Sequence, residues 1–132
     1  MNTDMHGAEL EGRTVLLLED EALIVLDLRL ALEEGGARVL SSATLEGAYA
    51  HLARLRPHAA VLDIRLGGGD TCEPLAERLA ALGVPFLLYS GDRDSHRALV
   101  ERLGAPRLVK PFPSHQLAER VARLIDEGAA EG

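Results

Sequence analysis

Val61-Leu62-Asp63-Ile64-Arg65-Leu66-Gly67-Gly68-Gly69 sets a carboxylate at the end of a short apolar run and just ahead of three glycines. An apolar run of that length reads as a buried strand, and the glycines mark where it breaks into a loop. A carboxylate at that boundary lies at the carboxyl end of the strand, where open α/β sheets build their ligand sites. Two other stretches repeat the pattern. Leu16-Leu17-Leu18 runs into Glu19-Asp20-Glu21, and Leu108-Val109 runs into Lys110-Pro111. Three strand-like segments ending in carboxylate, carboxylate and ammonium form one constellation.

Outward from Asp63, strand-like and helix-like segments alternate. Thr14 to Leu18 is continuously apolar, as a central parallel strand covered on both faces is. Glu21 to Glu34 follows as a helix rich in Leu and Ala, stopped by Gly35-Gly36. Arg38 to Ala43 reads as an edge strand. Thr44 caps a helix whose Leu45, Ala48, Leu52 and Leu55 keep helical spacing and which ends before Pro57. His58 to Asp63 is the third strand, Thr71 to Leu82 a helix closed by Gly83, and Pro85 to Ser90 the fourth strand. Asp94 to Leu103 reads as a short helix and Arg107 to Lys110 as the fifth strand. Ser114 is expected to cap a last helix striped by Leu117, Val121, Leu124 and Ile125. Met1 to Gly12 and Gly128 to Gly132 read as flexible tails, which leaves one domain over residues 13–127.

Five strand–helix repeats without an internal linker predict an α/β fold, a parallel sheet covered by helices on both faces. The flavodoxin-like (βα)5 doubly wound order 2-1-3-4-5 would set the ends of strands one and three side by side at the switch point. Periodicity alone does not fix that order. It is the arrangement in which Glu19, Asp20 and Asp63 meet.

Composition narrows the function classes. Hydrophobic residues make up 47% of the 132 and aromatics only 3%, so the core is aliphatic and base-stacking platforms for single-stranded nucleic acid are lacking. A net charge of −7 disfavours the phosphate backbone, so no nucleic-acid partner is expected. The single cysteine, Cys72, excludes an internal disulfide and suits a reducing compartment. No apolar run approaches the roughly 20 residues that span a bilayer, and residues 1–12 lack a signal-like core. A soluble, cytoplasmic chain with no membrane partner is the expectation.

The chemistry follows from the constellation. Crowded carboxylates repel, and a cation relieves the conflict. Mg²⁺ suits it, because it takes oxygen ligands, typically one or two carboxylates with waters and a phosphate oxygen. Asp63 is then positioned to attack phosphorus as a nucleophile. Lys110, a compact charge on a flexible stem, suits a second phosphoryl oxygen. Ser90 ends the fourth strand with a hydroxyl for a third.

With these residues in view, the chain resembles the receiver domains of the two-component response regulators, in their stand-alone, single-domain form, over about Arg13 to Glu127. Leu18-Glu19-Asp20-Glu21, Leu62-Asp63, Ser90-Gly91 and Lys110-Pro111-Phe112 carry the resemblance, in the family's order and at nearly its spacing. It implies that Asp63 accepts a phosphoryl group from a sensor histidine kinase or a histidine phosphotransfer protein. It further implies that Glu19, Asp20 and Asp63, with the backbone carbonyl of Arg65, hold Mg²⁺, that Ser90 is the switch hydroxyl and that Lys110 contacts the phosphate. A cis Lys110–Pro111 bond is expected as well. Such a protein is a phosphoacceptor rather than an enzyme, apart from self-dephosphorylation, and acts on an unidentified downstream protein.

The sequence also departs from the family. Arg107 stands where many receivers carry an aromatic on the fifth strand. Arg65 and Asp92 each lie two residues past a site residue, at positions that in receivers tune dephosphorylation, and are expected to pair across the site. Arg93 to Arg123 holds seven basic and three acidic residues within an acidic chain. That segment reads as solvated surface or as a docking face that includes Arg97 and Arg107. The alternative function is a small aspartyl-phosphate phosphohydrolase of the haloacid dehalogenase type, although such enzymes place Asp-x-Asp after the first strand. A flavodoxin would need a Ser/Thr-rich phosphate loop there. The histidines have no zinc spacing and the glycine run lacks the Lys and Ser/Thr of a P-loop.

Overall fold

The computed structural model describes residues 9–91 and 96–131, with side chains to Gly128. Five strands alternate with five helices: β1 (Thr14–Leu18), α1 (Ala22–Glu34), β2 (Arg38–Ser42), α2 (Leu45–Arg54), β3 (Ala59–Asp63), α3 (Glu73–Ala81), β4 (Phe86–Ser90), α4 (Arg97–Leu103), β5 (Arg107–Val109) and α5 (Leu117–Glu131). The sheet has the order β2-β1-β3-β4-β5, and every pairing is parallel. The doubly wound fold read from the sequence is the fold observed.

Alternation along the strands divides the interior in two. Val15 and Leu17 of β1, with Val61, Leu87 and Leu108 from the other strands, pack toward α1 and α5. Leu16 and Leu18, with Leu62 and Leu88, pack toward α2, α3 and α4. Each fully buried aliphatic side chain contributes roughly 1.5–3 kcal/mol relative to exposure, so continuous apolar strands are stable only with both faces covered. The register places Leu18 beside Leu62 and Asp63 beside Tyr89, which brings the ends of β1, β3 and β4 to one rim.

Several boundaries differ from the sequence reading, each for a local reason. Leu10, assigned to the N-terminal tail, is fully buried, and its N–H donates to the Gly35 carbonyl at 2.6 Å. Thr71 is not the start of α3. It bridges to Arg65, and its hydroxyl accepts the Glu73 N–H at 3.3 Å. Ser114 does not cap the last helix. A 3-10 turn, Ser114–Gln116, precedes α5, and the Ser114 hydroxyl donates to Asp27 Oδ1 on α1 at 3.0 Å. α5 continues to Glu131, past the Gly128 at which the sequence reading closes it. Thr44 caps α2 as expected, its Oγ1 accepting the Gly47 N–H at 3.1 Å. The Lys110–Pro111 bond is cis. Asp94, the expected start of α4, lies outside the described residues.

Candidate functional site

The site is assembled by the ends of β1, β3, β4 and β5. Glu19 directly follows Leu18, and its N–H donates to the Ser42 carbonyl at 3.0 Å, which extends the sheet by one residue and turns the side chain inward. Its carboxylate is buried. Oε2 accepts the Glu21 N–H at 3.0 Å, whereas Oε1 accepts no hydrogen bond of good geometry among the described residues. Asp20, next along, is exposed, and its Oδ2 accepts the Gly67 N–H at 2.7 Å. Asp63 ends β3 and is buried. Glu19, Asp20 and Asp63 each direct one oxygen into a space where these atoms lie within 4.8 Å of one another.

Lys110 closes the constellation from β5. The Lys110 N–H donates to the Ser90 carbonyl at 2.7 Å and so ties the ends of β4 and β5 together. Its Nζ lies 3.4 Å from Glu19 Oε1, 3.5 Å from Asp63 Oδ1 and 3.9 Å from Glu21 Oε1. The ammonium also sits 5.0 Å from the centre of the Tyr89 ring, a cation–π contact that guides the stem across the sheet.

One ammonium is set among several carboxylates, and burial together with their charge displaces Asp63 from its ordinary range. Burial first, then the neighbouring Glu19, push the Asp63 carboxyl up to about 6 against the pull of Lys110. Burial alone lowers the Lys110 ammonium, but Asp63 and Glu19 outweigh it and the net direction is upward. Behind Asp63, burial followed by the Asp63 charge pushes the Cys72 thiol up to about 12, so it stays neutral and packs as an apolar group.

An open cavity of about 350 Å³ covers the cluster, lined among others by Asp20, Glu21, Asp63, Arg65, Gly91 and Lys110. The donor set is all oxygen and crowded, and one buried oxygen, Glu19 Oε1, has the Lys110 ammonium at 3.4 Å but no hydrogen bond of good geometry among the described residues. These residues fit a hard divalent cation.

Of the residues selected from the sequence, Glu19, Asp20, Asp63 and Lys110 converge here. Ser90 is buried at the adjoining strand end, opposite Val109. Arg65 is exposed at the cavity wall. Asp92 lies outside the described residues, and so does its pairing with Arg65. Arg97, exposed on α4, and Arg107, at the opposite end of β5 from Lys110, do not line the cavity. Glu21, just ahead of α1 where the helix dipole favours an acid, also stands at the edge of the site, its Oε1 3.9 Å from Lys110 Nζ.

A second feature escaped sequence reasoning. Leu23, Leu26 and Leu30 form a stripe along the outer side of α1 and are 82%, 54% and 51% exposed. The available signal was that α1 is apolar nearly all round, more than one buried stripe requires.

No family model matches the chain. It is 33% identical over 109 residues to the KDP operon transcriptional regulatory protein KdpE of Escherichia coli, a match covering 81% of this chain and 48% of that protein. It is 34% identical to the transcriptional regulatory protein PdtaR of Mycobacterium tuberculosis, over 91% of this chain and 62% of that protein. The chain therefore spans about half the length of the curated relatives it matches, or somewhat more. Among solved structures, the signal receiver domain of a modulated diguanylate cyclase from Desulfovibrio desulfuricans superposes with a TM-score of 0.79 at 28% identity, covering 91% of this chain and 98% of that one. A response regulator receiver domain protein (CheY-like) from Methanospirillum hungatei shares the fold with a TM-score of 0.80 at 23% identity, again over 91% and 98%.

Proposed function

The chain belongs to the receiver domains of two-component response regulators, and from that premise we propose that Asp63 is its phosphoacceptor. The observation that carries the proposal is the buried Asp63 carboxylate under an open cavity, 3.5 Å from an ammonium and within 4.8 Å of two further carboxylates. The haloacid dehalogenase alternative receives no support from the relatives found.

In the proposed reaction an Asp63 oxygen attacks the phosphorus of a phosphohistidine. The phosphorus–nitrogen bond breaks, its electron pair returns to the imidazole, and an aspartyl phosphate forms. With its pKa at about 6, Asp63 is mostly ionised at neutral pH and needs no separate base. Lys110 Nζ holds one phosphoryl oxygen, and the Ser90 hydroxyl donates to another. Mg²⁺, held by Glu19, Asp20, Asp63 and the Arg65 backbone carbonyl, would supply neutralisation of the equatorial oxygens when bound. The phosphoryl group lasts until water removes it, a step that Arg65 and Asp92 tune, and the domain turns over no other substrate.

The partners follow from the surface. A protein that delivers phosphate to Asp63 must cover the same rim. The α1 stripe begins at Leu23, two residues past Glu21, so it offers apolar area where a sensor histidine kinase or histidine phosphotransfer protein would sit. The Arg97 and Arg107 face is read by a downstream protein. The net charge of −7 disfavours nucleic acid as a direct partner of these residues, although the matched relatives are named transcriptional regulators. Among the described residues no helix is long and apolar enough to cross a membrane, and the proposed setting is cytoplasmic.

Intact mass after incubation with acetyl phosphate tests the acceptor. A Mg²⁺-dependent gain of one phosphoryl group, abolished in Asp63→Asn, is expected. An equal gain in Asp63→Asn would place the acceptor elsewhere.

A further inference from the structure

Within Gly67-Gly68-Gly69, two glycines are explained by the backbone and one is not. Gly68 and Gly69 have φ of +83° and +88°, a region that side-chain-bearing residues rarely adopt. Gly67 is outside that region, so backbone conformation does not require glycine there. A Cβ on Gly67 would lie 3.0 Å from Asp20 Oδ2, the same oxygen that accepts the Gly67 N–H at 2.7 Å. The missing side chain thus permits a close approach between two residues 47 positions apart.

From this approach we infer that the Gly67 N–H is a positioning donor that holds Asp20 in place as a cation ligand. The inference rests on the reading that Glu19, Asp20 and Asp63 bind Mg²⁺. Asp20 is exposed, and among the described residues no other hydrogen bond reaches its carboxylate. An exposed carboxylate without this bond samples several rotamers, and a cation must then select one. A short charge-assisted bond selects it in advance. A carboxylate has about four lone-pair positions, so one N–H leaves capacity for a metal. Outer-shell bonds of this kind set ligand orientation, and their loss typically lowers metal affinity by about 10- to 100-fold. The loop itself is closed by the Leu66 N–H donating to the Asp70 carbonyl at 2.8 Å and by the Arg65–Thr71 bridge. The donor is therefore mounted on a fixed turn.

Gly67→Pro tests the bond by deleting the N–H, but it also sets a ring against Asp20 Oδ2. Gly67→Ala, which keeps the N–H and adds only the Cβ, serves as the steric control and is expected to bind Mg²⁺ more tightly than Gly67→Pro. Residue 67 is the first of a 3-10 turn, and Leu66 before it is extended at φ −109°, ψ 163°. Calorimetric titration of the full chain with MgCl₂ alone gives the affinity, and thermal unfolding in EDTA checks the fold. The expected result is a Kd about tenfold weaker in Gly67→Pro, with the metal-free unfolding midpoint preserved. A Kd within about twofold of wild type overturns the inference and leaves the metal site standing. Absence of Mg²⁺ binding by the wild-type chain overturns both. Should the variant fail to fold, the wild-type amide spectrum decides. The Gly67 resonance is expected to shift with the calorimetric Kd, and a resonance unmoved at saturating Mg²⁺ refutes the role.

Discussion

The two ends of one sheet carry opposite chemistry. At the carboxyl ends lie Glu19, Asp63 and Ser90, which are the buried polar side chains of the described residues. At the amino ends, a groove of about 310 Å³ is lined by Val84, Pro85, Phe86, Leu103, Ala105 and Leu124, among other residues, with no charged side chain. The same strands supply both, so the difference is not one of fold. Burial at the amino rim removes apolar surface from water and stabilises the chain. Burial at the carboxyl rim forces carboxylates together and opposes folding, and it concentrates charge where the proposed cation and phosphoryl group would be held.

The strongest way to break the comparison is Asp63→Asn. It is expected to abolish phosphorylation completely while stabilising the metal-free protein. The sign follows from the raised pKa. The folded state holds the Asp63 proton more tightly than the unfolded state, so this residue's contribution is most favourable below its ordinary value of 3.8 and is lost as pH rises through about 6. Denaturant unfolding of both proteins in EDTA should show the variant's advantage growing over that window, to about 1–3 kcal/mol at pH 7. A constant gap from pH 4 to pH 7 would mean the site is not strained by charge.

At the other rim, Phe86→Ala should cost about 3–4 kcal/mol by leaving a cavity, with phosphorylation per folded molecule unchanged. Loss of phosphorylation in a folded Phe86→Ala would show that the two ends are coupled. Leu23→Glu sharpens the account of the carboxyl rim. Transfer from a phosphohistidine protein is expected to fall about tenfold, the loss of roughly 1.4 kcal/mol of apolar contact, and the rate with acetyl phosphate to stay the same. Equal slowing with both donors would move the defect from docking to chemistry. The smallest effect is expected for Arg102→Ala on α4. Arg102 pairs with Glu73 and Glu77 on α3, but its side chain is about half exposed, so solvent screening limits the loss to under about 1 kcal/mol in thermal unfolding.

β1, β3, β4 and β5 are legible in the sequence because each is built on a short apolar run bounded by glycine, proline or a charge. β2, with its two serines, is less so. The site is legible because its residues end those runs. What escapes reading depends on distance or on ambiguity. The contact of Gly67 with Asp20 joins residues 47 apart, and no local pattern announces it. Ser114 is an ordinary cap residue by type, and only the proximity of Asp27 on α1 redirects its hydroxyl. Leu10 sits in a polar stretch, and its burial depends on the turn at Gly35. α1 is apolar on almost every side, so periodicity does not say which leucines face the core and which remain outside. Glu21 has two sound readings, a helix-dipole acid and a neighbour of Lys110, and the 3.9 Å approach adds the second.

Chemical trapping of the phosphorylated protein tests the central claim most directly. After reaction with acetyl phosphate and Mg²⁺, borohydride reduction converts an aspartyl phosphate to homoserine, which tandem mass spectrometry of the proteolytic fragments containing Asp20 and Asp63 locates. The account predicts homoserine at position 63 and none in the sample prepared with EDTA. Homoserine at position 20, or an unreduced Asp63 in protein that has gained a phosphoryl group, would contradict it.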